Sequence, residues 1–259
     1  MILAIETATD ICGVALVNNH AVLAHRFIAE KNVHSEKLLP MIDEVLKEAA
    51  ITLRNVNAVA LSIGPGSFTG LRIGLSTAKG LAMAAELPLI PVPTLDALAL
   101  EYHRNGSNSA AIICSLIDAK RDEAFFSFYS IQNGIPFRRS EYEIASAQAI
   151  AEKAKQFPSV IFVGDGVGKI KAAAGENGAV QFVAAMQFRG DVVCSAASVG
   201  LLAEEKFLEL KTEEYSMLEP LYLREFVATQ PPAEKQNASQ FSSGTKSSTQ
   251  IRLRRTHSS

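Results

Sequence analysis

The order of short apolar runs along the first ninety residues constrains the fold of this 259-residue chain more than any other feature. Residues 2–6, 11–17 and 21–28 are rich in β-branched and apolar side chains. They are separated by Thr7-Ala8-Thr9-Asp10 and Asn18-Asn19-His20, so the spacing predicts three strands in an antiparallel meander. From residue 35 to 50, Leu38, Leu39, Ile42, Val45, Leu46 and Ala49 recur at helical spacing behind Ser35, a plausible cap. A buried strand over 59–63, a glycine-rich loop over 64–70 and a helix over 71–86 complete a βββαβα unit.

Beyond the connecting segment Ile90-Pro91-Val92-Pro93 and a short helix over 94–102, the layout repeats in a less regular copy. Strands are expected at 111–117, 123–130 and 135–144, then a helix at 146–156 and a strand at 160–163. The loop Gly164-Asp165-Gly166-Val167-Gly168-Lys169 and a helix over about 191–210 finish it. The fold class is α/β, two mixed sheets with helices on their faces. A duplicated βββαβα unit is the layout of the ribonuclease-H-like lobes of actin, sugar kinases and heat-shock ATPases, where nucleotide sits between the lobes. That comparison is fold-level only. The expected division is an N-terminal lobe over 1–100, a C-terminal lobe over 101–227 and a tail over 228–259.

Apolar residues make up 48% of the chain and charged residues 20%, the balance of a soluble globular protein. No stretch approaches the roughly 18 apolar residues that span a bilayer, and Glu6 and Asp10 interrupt the N-terminus where a signal peptide needs its apolar run. The cytoplasm is the expected compartment. Cys12, Cys114 and Cys194 stand far apart with no CxxC and read as buried thiols. The formal charge of −2 hides an asymmetry, since residues 231–259 carry five Lys/Arg and one Glu, which leaves −6 on the rest. That segment is rich in Ser, Thr, Gln and Asn and is expected to stay mobile. Its basic end could meet RNA phosphates through charge alone, or simply be solvated.

The sharpest motif is the run from Gly64 through Pro65, Gly66, Ser67, Phe68, Thr69, Gly70, Leu71, Arg72 and Ile73 to Gly74, between a strand and a helix. Such a loop can turn backbone N–H groups toward an anion. It lacks the Gly-Lys-Ser/Thr of a Walker loop, and its glycines equally serve a tight turn and close packing. Glu6 and Thr7 end the first strand, where an acid could hold a water on Mg²⁺ or simply face solvent. The candidate vestigial nucleotide- or phosphate-binding set is therefore Glu6, Thr7, Gly64, Gly66, Ser67, Thr69 and Gly70; no cofactor is assigned, and ATP or ADP with Mg²⁺ could sit in the cleft between the lobes or at a partner interface. No HxxxH or HExxH occurs, and His34 reads as a helix cap rather than a metal ligand. Ser67 sits in no GxSxG elbow. No catalytic residue and no metal ligand is assigned.

Two helix faces invite a partner. Gly70, Gly74, Ala78 and Ala82 form a stripe of small side chains at i, i+4 spacing. Leu38, Ile42, Val45 and Ala49, with Leu39 and Leu46 turned to another side, give a wider apolar arc than one buried face needs. Alternatively, both stripes pack on the lobe's own sheet.

His34-Ser35-Glu36-Lys37-Leu38-Leu39-Pro40, the Gly64 to Gly74 loop and Leu116-Ile117-Asp118-Ala119-Lys120-Arg121 occur in order. Together they resemble the TsaB family, also called YeaZ, over residues 1 to about 225. The resemblance implies two actin-like lobes and a subunit of tRNA threonylcarbamoyladenosine synthesis that is not catalytic on its own. It implies pairing with TsaD, which moves the threonylcarbamoyl group from threonylcarbamoyl-AMP to the tRNA adenosine beside the anticodon. The small ATPase TsaE joins the complex, and tRNA is met through it. The same resemblance implies that the N-terminal helices meet TsaD or, without it, a second copy. The chain shares the family's lack of the histidine pair that holds metal in TsaD. The rival expectation is a stand-alone ATP-dependent phosphotransferase using Glu6 and the two glycine loops; a metallopeptidase is disfavoured by the missing histidines.

Overall fold

β1 (Ile2–Glu6) is apolar except at its last residue and buried throughout, the pattern of a strand at the centre of a sheet rather than at its edge. The computed structural model describes residues 1–106, 111–174, 185–207 and 218–223. β1 lies between β2 (Ile11–Asn18), antiparallel to it, and β4 (Ala58–Ser62), parallel to it. β3 (Ala21–Ala29) and β5 (Leu89–Val92) form the edges, giving the order β3-β2-β1-β4-β5. The expected meander is present. The segment expected to be a mere connector is β5. Proline has no N–H to give a ladder and is tolerated on an edge strand, where Pro91 stands opposite Leu61.

The second sheet repeats this plan. β6 (Ile112–Asp118) pairs antiparallel with β7 (Glu123–Gln132) and parallel with β10 (Ser159–Val163). β11 (Ala185–Arg189), which the sequence reading missed, extends it parallel to β10. The expected single strand over 135–144 is two strands, β8 (Ile135–Arg138) and β9 (Glu143–Ser146), pairing with opposite ends of β7. Between them the Ser140 hydroxyl accepts from Phe128 N at 3.1 Å and Arg139 N donates to Phe128 O at 2.7 Å, so the chain bends away where a ladder would continue. The order β8-β7-β6-β10-β11 matches that of the first sheet.

Helices cover both sheets. α1 (His34–Glu48) and α2 (Phe68–Ala85) bury Leu38, Met41, Ile42, Val45, Ala78 and Ala82 against Leu3, Ile5, Val14, Leu16, Val59 and Leu61. On the sheet's other face lie α6 (Ala196–Phe207) and one side of α3 (Thr94–Arg104). α3 turns Leu95, Leu98, Ala99 and Tyr102 toward the second sheet, so both of its sides are buried. α4 (Ala147–Ala154) and α5 (Val167–Ala174) cover that sheet's far face; α5 begins inside the stretch 164–169 expected as a loop and runs on past it. Residues Met1–Glu225 form one compact unit, and the expected boundary near residue 100 falls inside α3. The basic tail lies outside the described residues. Cys12, Cys114 and Cys194 are free and buried, as expected. Among the described residues no helix is long and apolar enough to cross a membrane.

Candidate functional site

At the end of β1 the chain must turn, and the start of α2 leans on that turn. Glu6 is fully buried; its Oε1 accepts from Ala8 N at 2.7 Å, while Oε2 and the hydroxyl of Thr7 are buried with no hydrogen-bond partner among the described residues. Burial raises the Glu6 carboxyl to about 7, helped by the charge of Asp165 and opposed by the Ser62 hydroxyl and the Ala8 and Thr9 N–H groups. His34, expected as a helix cap, does something else. Its Nε2 stands 3.1 Å from both Thr9 O and Ile11 O, so a protonated Nε2 clamps the strand-end turn to α1.

The glycines explain how close the approach is. A Cβ on Gly66 would lie 2.1 Å from Ala8 O, and one on Gly70 would lie 2.0 Å from Thr7 O, contacts that backbone cannot relieve. The loop's donors also turn inward. Gly64 N reaches Thr94 Oγ1 at 3.1 Å, Ser67 N reaches Ala8 O at 2.6 Å, Gly70 N reaches the capping Ser67 Oγ at 3.3 Å and Leu71 N reaches Ser67 O at 2.9 Å. Glu6, Thr7, Gly64, Gly66, Ser67 and Gly70 thus come together as expected, but as a packed joint rather than an open cradle for phosphate. Thr69 is not among them; it is exposed on α2. The second glycine loop is engaged in the same way. Lys169 Nζ donates to Asp118 Oδ1 at 2.6 Å and to Glu123 O at 2.7 Å, and Asp118 N donates to Asp165 Oδ1 at 2.8 Å. Burial works to raise Asp118, yet Lys169 and Lys120 outweigh it and hold the carboxyl below its ordinary range. A lysine so paired is poorly placed to serve as a phosphate ligand for a kinase.

The partner stripe needs correction. Leu38, Ile42 and Val45 on α1, and Gly70, Gly74, Ala78 and Ala82 on α2, all face the chain's own sheet and are buried there. Both helices were amphipathic toward their own core, the open alternative of the sequence reading. What they present outward is a different set. Leu39 is 57% exposed and Met83 72% exposed, and between the helices runs a groove of about 560 Å³ lined by Ser35, Phe68, Thr69, Arg72, Ile73, Ser76 and Thr77. One turn further along α2, Gly80 has nothing among the described residues within 4 Å of where its Cβ would stand. Sequence reasoning missed this face because its Ser76, Gly80 and Ala84 are as small as the inward stripe.

A segment from far along the chain packs against the first turn of α2. Leu221 N donates to Ile63 O at 2.7 Å, which sets Tyr222 against Phe68 with ring centres 5.4 Å apart. Arg72 lies over the Phe68 ring at 3.8 Å and its Nε donates to Tyr222 Oη at 3.3 Å.

Two sheets of identical strand order, joined by a shared helix and each with a glycine turn packed on its central strand, define a doubled ribonuclease-H-like fold of the actin-like class. A family model described as TsaD, tRNA N6-adenosine threonylcarbamoyltransferase, matches residues 22–231. The chain is 36% identical over 230 residues to the tRNA threonylcarbamoyladenosine biosynthesis protein TsaB of Escherichia coli, covering 88% of this chain and 96% of that one. It is 31% identical over 134 residues to the TsaB of Bacillus subtilis, which covers 52% of this chain and 57% of that protein. The solved YeaZ from Pseudomonas aeruginosa superposes with a TM-score of 0.74 at 27% identity, covering 86% of this chain and 99% of that one. This chain belongs to the TsaB family of tRNA threonylcarbamoyladenosine biosynthesis proteins, as its motifs had indicated.

Proposed function

We propose that this chain is the docking subunit of a tRNA threonylcarbamoyltransferase and performs no chemistry by itself. A TsaD-type catalytic subunit seats on the outward faces of α1 and α2 and is held there in its competent arrangement. The catalytic subunit then moves the threonylcarbamoyl group from threonylcarbamoyl-AMP to the tRNA adenosine beside the anticodon. Such an effect is a population shift, since contacts made only in the competent state favour that state.

The observation that carries this reading is Gly80. A glycine inside a helix weakens it by roughly 1 kcal/mol relative to alanine, and here no contact among the described residues gives a reason for it. Met83, three residues further along α2, and Leu39 on α1 are both largely exposed. Small residues flanked by exposed apolar ones let a second helix approach closely and bury surface on arrival. A second copy of the chain would use the same face when the catalytic subunit is absent. The TsaE-type ATPase and tRNA are met through the assembled complex, in the cytoplasm. ATP, ADP and Mg²⁺ are left to the partners, in keeping with the inward-turned glycine loop.

The test is size-exclusion chromatography with light scattering on this chain, alone and mixed with its TsaD-type partner, followed by threonylcarbamoylation assays on the pooled fractions. A heterodimer with activity absent from either protein alone is expected. ATP turnover by this chain alone, with no complex formed, would overturn the reading.

A further inference from the structure

We infer that Arg72 selects the partner by receiving a carboxylate from the docked helix. This rests on the docking reading above and adds the chemistry of what must dock.

The arginine is prepared before anything arrives. Phe68 lies one turn back on the same helix, and Tyr222 is brought in from 150 residues away; together they hold the guanidinium by a ring face at 3.8 Å and a hydrogen bond at 3.3 Å. Fixing a long side chain in advance removes much of the entropy loss that binding would otherwise impose. Stacking and the Nε bond leave the outer edge of the guanidinium, with its Nη donors, unmatched. Arg26, Arg104, Arg138 and Arg189 each pair with a glutamate or aspartate of this chain, whereas among the described residues Arg72, like Arg54, Arg121 and Arg139, pairs with none, and of these four it is the one that lines the groove. Glu36 is taken by Lys37 and does not line the groove.

Among the described residues, the polar groups that line the groove with Arg72 are uncharged. Ser35, Thr69, Ser76 and Thr77 line the groove with Arg72, and among the described residues no carboxylate does. A groove with one stacked cation, several hydroxyl side chains and apolar lining at Phe68 and Ile73 fits a helix with small apolar residues on one face and a Glu or Asp at the end that meets Phe68. Two parallel N–H···O bonds to that carboxylate supply direction as well as attraction, and an arginine of this kind is what dominates an interface energetically.

The experiment measures the affinity of the full chain for its TsaD-type partner at 50 and 300 mM NaCl, for wild type, Arg72→Ala, Arg72→Lys, Tyr222→Phe and Gly80→Trp, with thermal melting of each chain as a folding control. Arg72→Ala is expected to weaken binding by about thirtyfold or more at low salt, on the scale of interface hot spots, and to flatten the salt dependence. Arg72→Lys restores only part, because it keeps charge but loses the fork, and Tyr222→Phe costs less than either. Arg72→Glu should be rescued by reversing the charge of a single acidic residue on a partner helix. Wild-type affinity for Arg72→Ala, with Gly80→Trp unable to bind, overturns this inference and leaves the docking reading standing. Full binding by both variants overturns both. A loss equal at the two salt concentrations also overturns the inference, since it would mark lost packing rather than a lost ion pair. So does Arg72-dependent binding of 20 mM inorganic phosphate by the free chain with partner affinity unchanged.

Discussion

Glu6 carries a titration that stability measurements can read. Its carboxyl has an ordinary value of 4.5 and is raised to about 7 by burial. Between those values the native protein holds a proton that the unfolded chain has released, so stability falls as pH rises through this window and the loss is complete above it. The shift corresponds to about 3 kcal/mol. Glu6→Gln keeps an oxygen for Ala8 N and cannot ionise. Relative to wild type, it should therefore gain about that amount between pH 5 and pH 8, seen as urea midpoints that diverge with pH. A constant offset between the two proteins would place the titration elsewhere. Two glycines on one helix should respond in opposite ways. Gly70→Ala drives a Cβ into the Thr7 carbonyl and should destabilise by about 2 kcal/mol or more, whereas Gly80→Ala meets nothing and should stabilise the free chain by roughly 1 kcal/mol, both read by urea unfolding. Sequence alone marked Glu6 and the glycine run as unusual. It did not tell a phosphate cradle from a packed joint, because both need glycine for close approach and differ only in what approaches. The role of His34 was invisible for a related reason, as its acceptors are backbone carbonyls 23 and 25 residues away.

At the scale of elements, periodicity located α1 and α2 but did not say which side of α2 was inside. Gly70, Gly74, Ala78 and Ala82 form one small stripe, and Ser76, Gly80 and Ala84 lie close to the opposite one, so no contrast in size or hydropathy separates them. The strands behave likewise. β5 hid behind its prolines, and β8 and β9 ran together because the break between them is made by the Ser140 side chain, not by a glycine or proline turn. The consequence is a pair of substitutions with separable outcomes. Ala78→Asp puts a charge into a fully buried site and should prevent folding. Met83→Asp changes a largely exposed residue and should leave the melting temperature within about 2 °C of wild type, as surface changes usually do. It should nonetheless abolish coelution with the TsaD-type partner on size exclusion. If Met83→Asp coelutes normally and supports full modification, the outer face of α2 is not where the partner sits.

The whole molecule depends on α3. Ala97 and Leu100 belong to the core of the first sheet, while Leu95, Leu98, Ala99 and Tyr102 belong to that of the second. Polar ties reinforce both sides: Asp96 Oδ1 accepts from Tyr129 Oη at 2.9 Å and from Tyr142 Oη at 2.8 Å, and Glu101 Oε2 accepts from Ser198 Oγ at 2.6 Å on α6. A helix buried on both sides cannot leave one core without opening the other, so the two sheets should unfold as one cooperative unit although the layout was legible as two lobes. The duplicated sequence pattern showed the lobes, because each repeats βββαβα. It concealed the coupling, because a helix apolar on two sides reads like any short buried helix. Leu98→Ala and Leu100→Ala should each cost about 2–5 kcal/mol. Both should lower the same transition, with amides of both sheets losing protection together in native-state hydrogen exchange near the unfolding midpoint. Were Leu98→Ala to release only β6, β7 and β10 while β1, β2 and β4 kept wild-type protection, the lobes would be independent. A partner seated on α1 and α2 would then have no mechanical route to the second sheet.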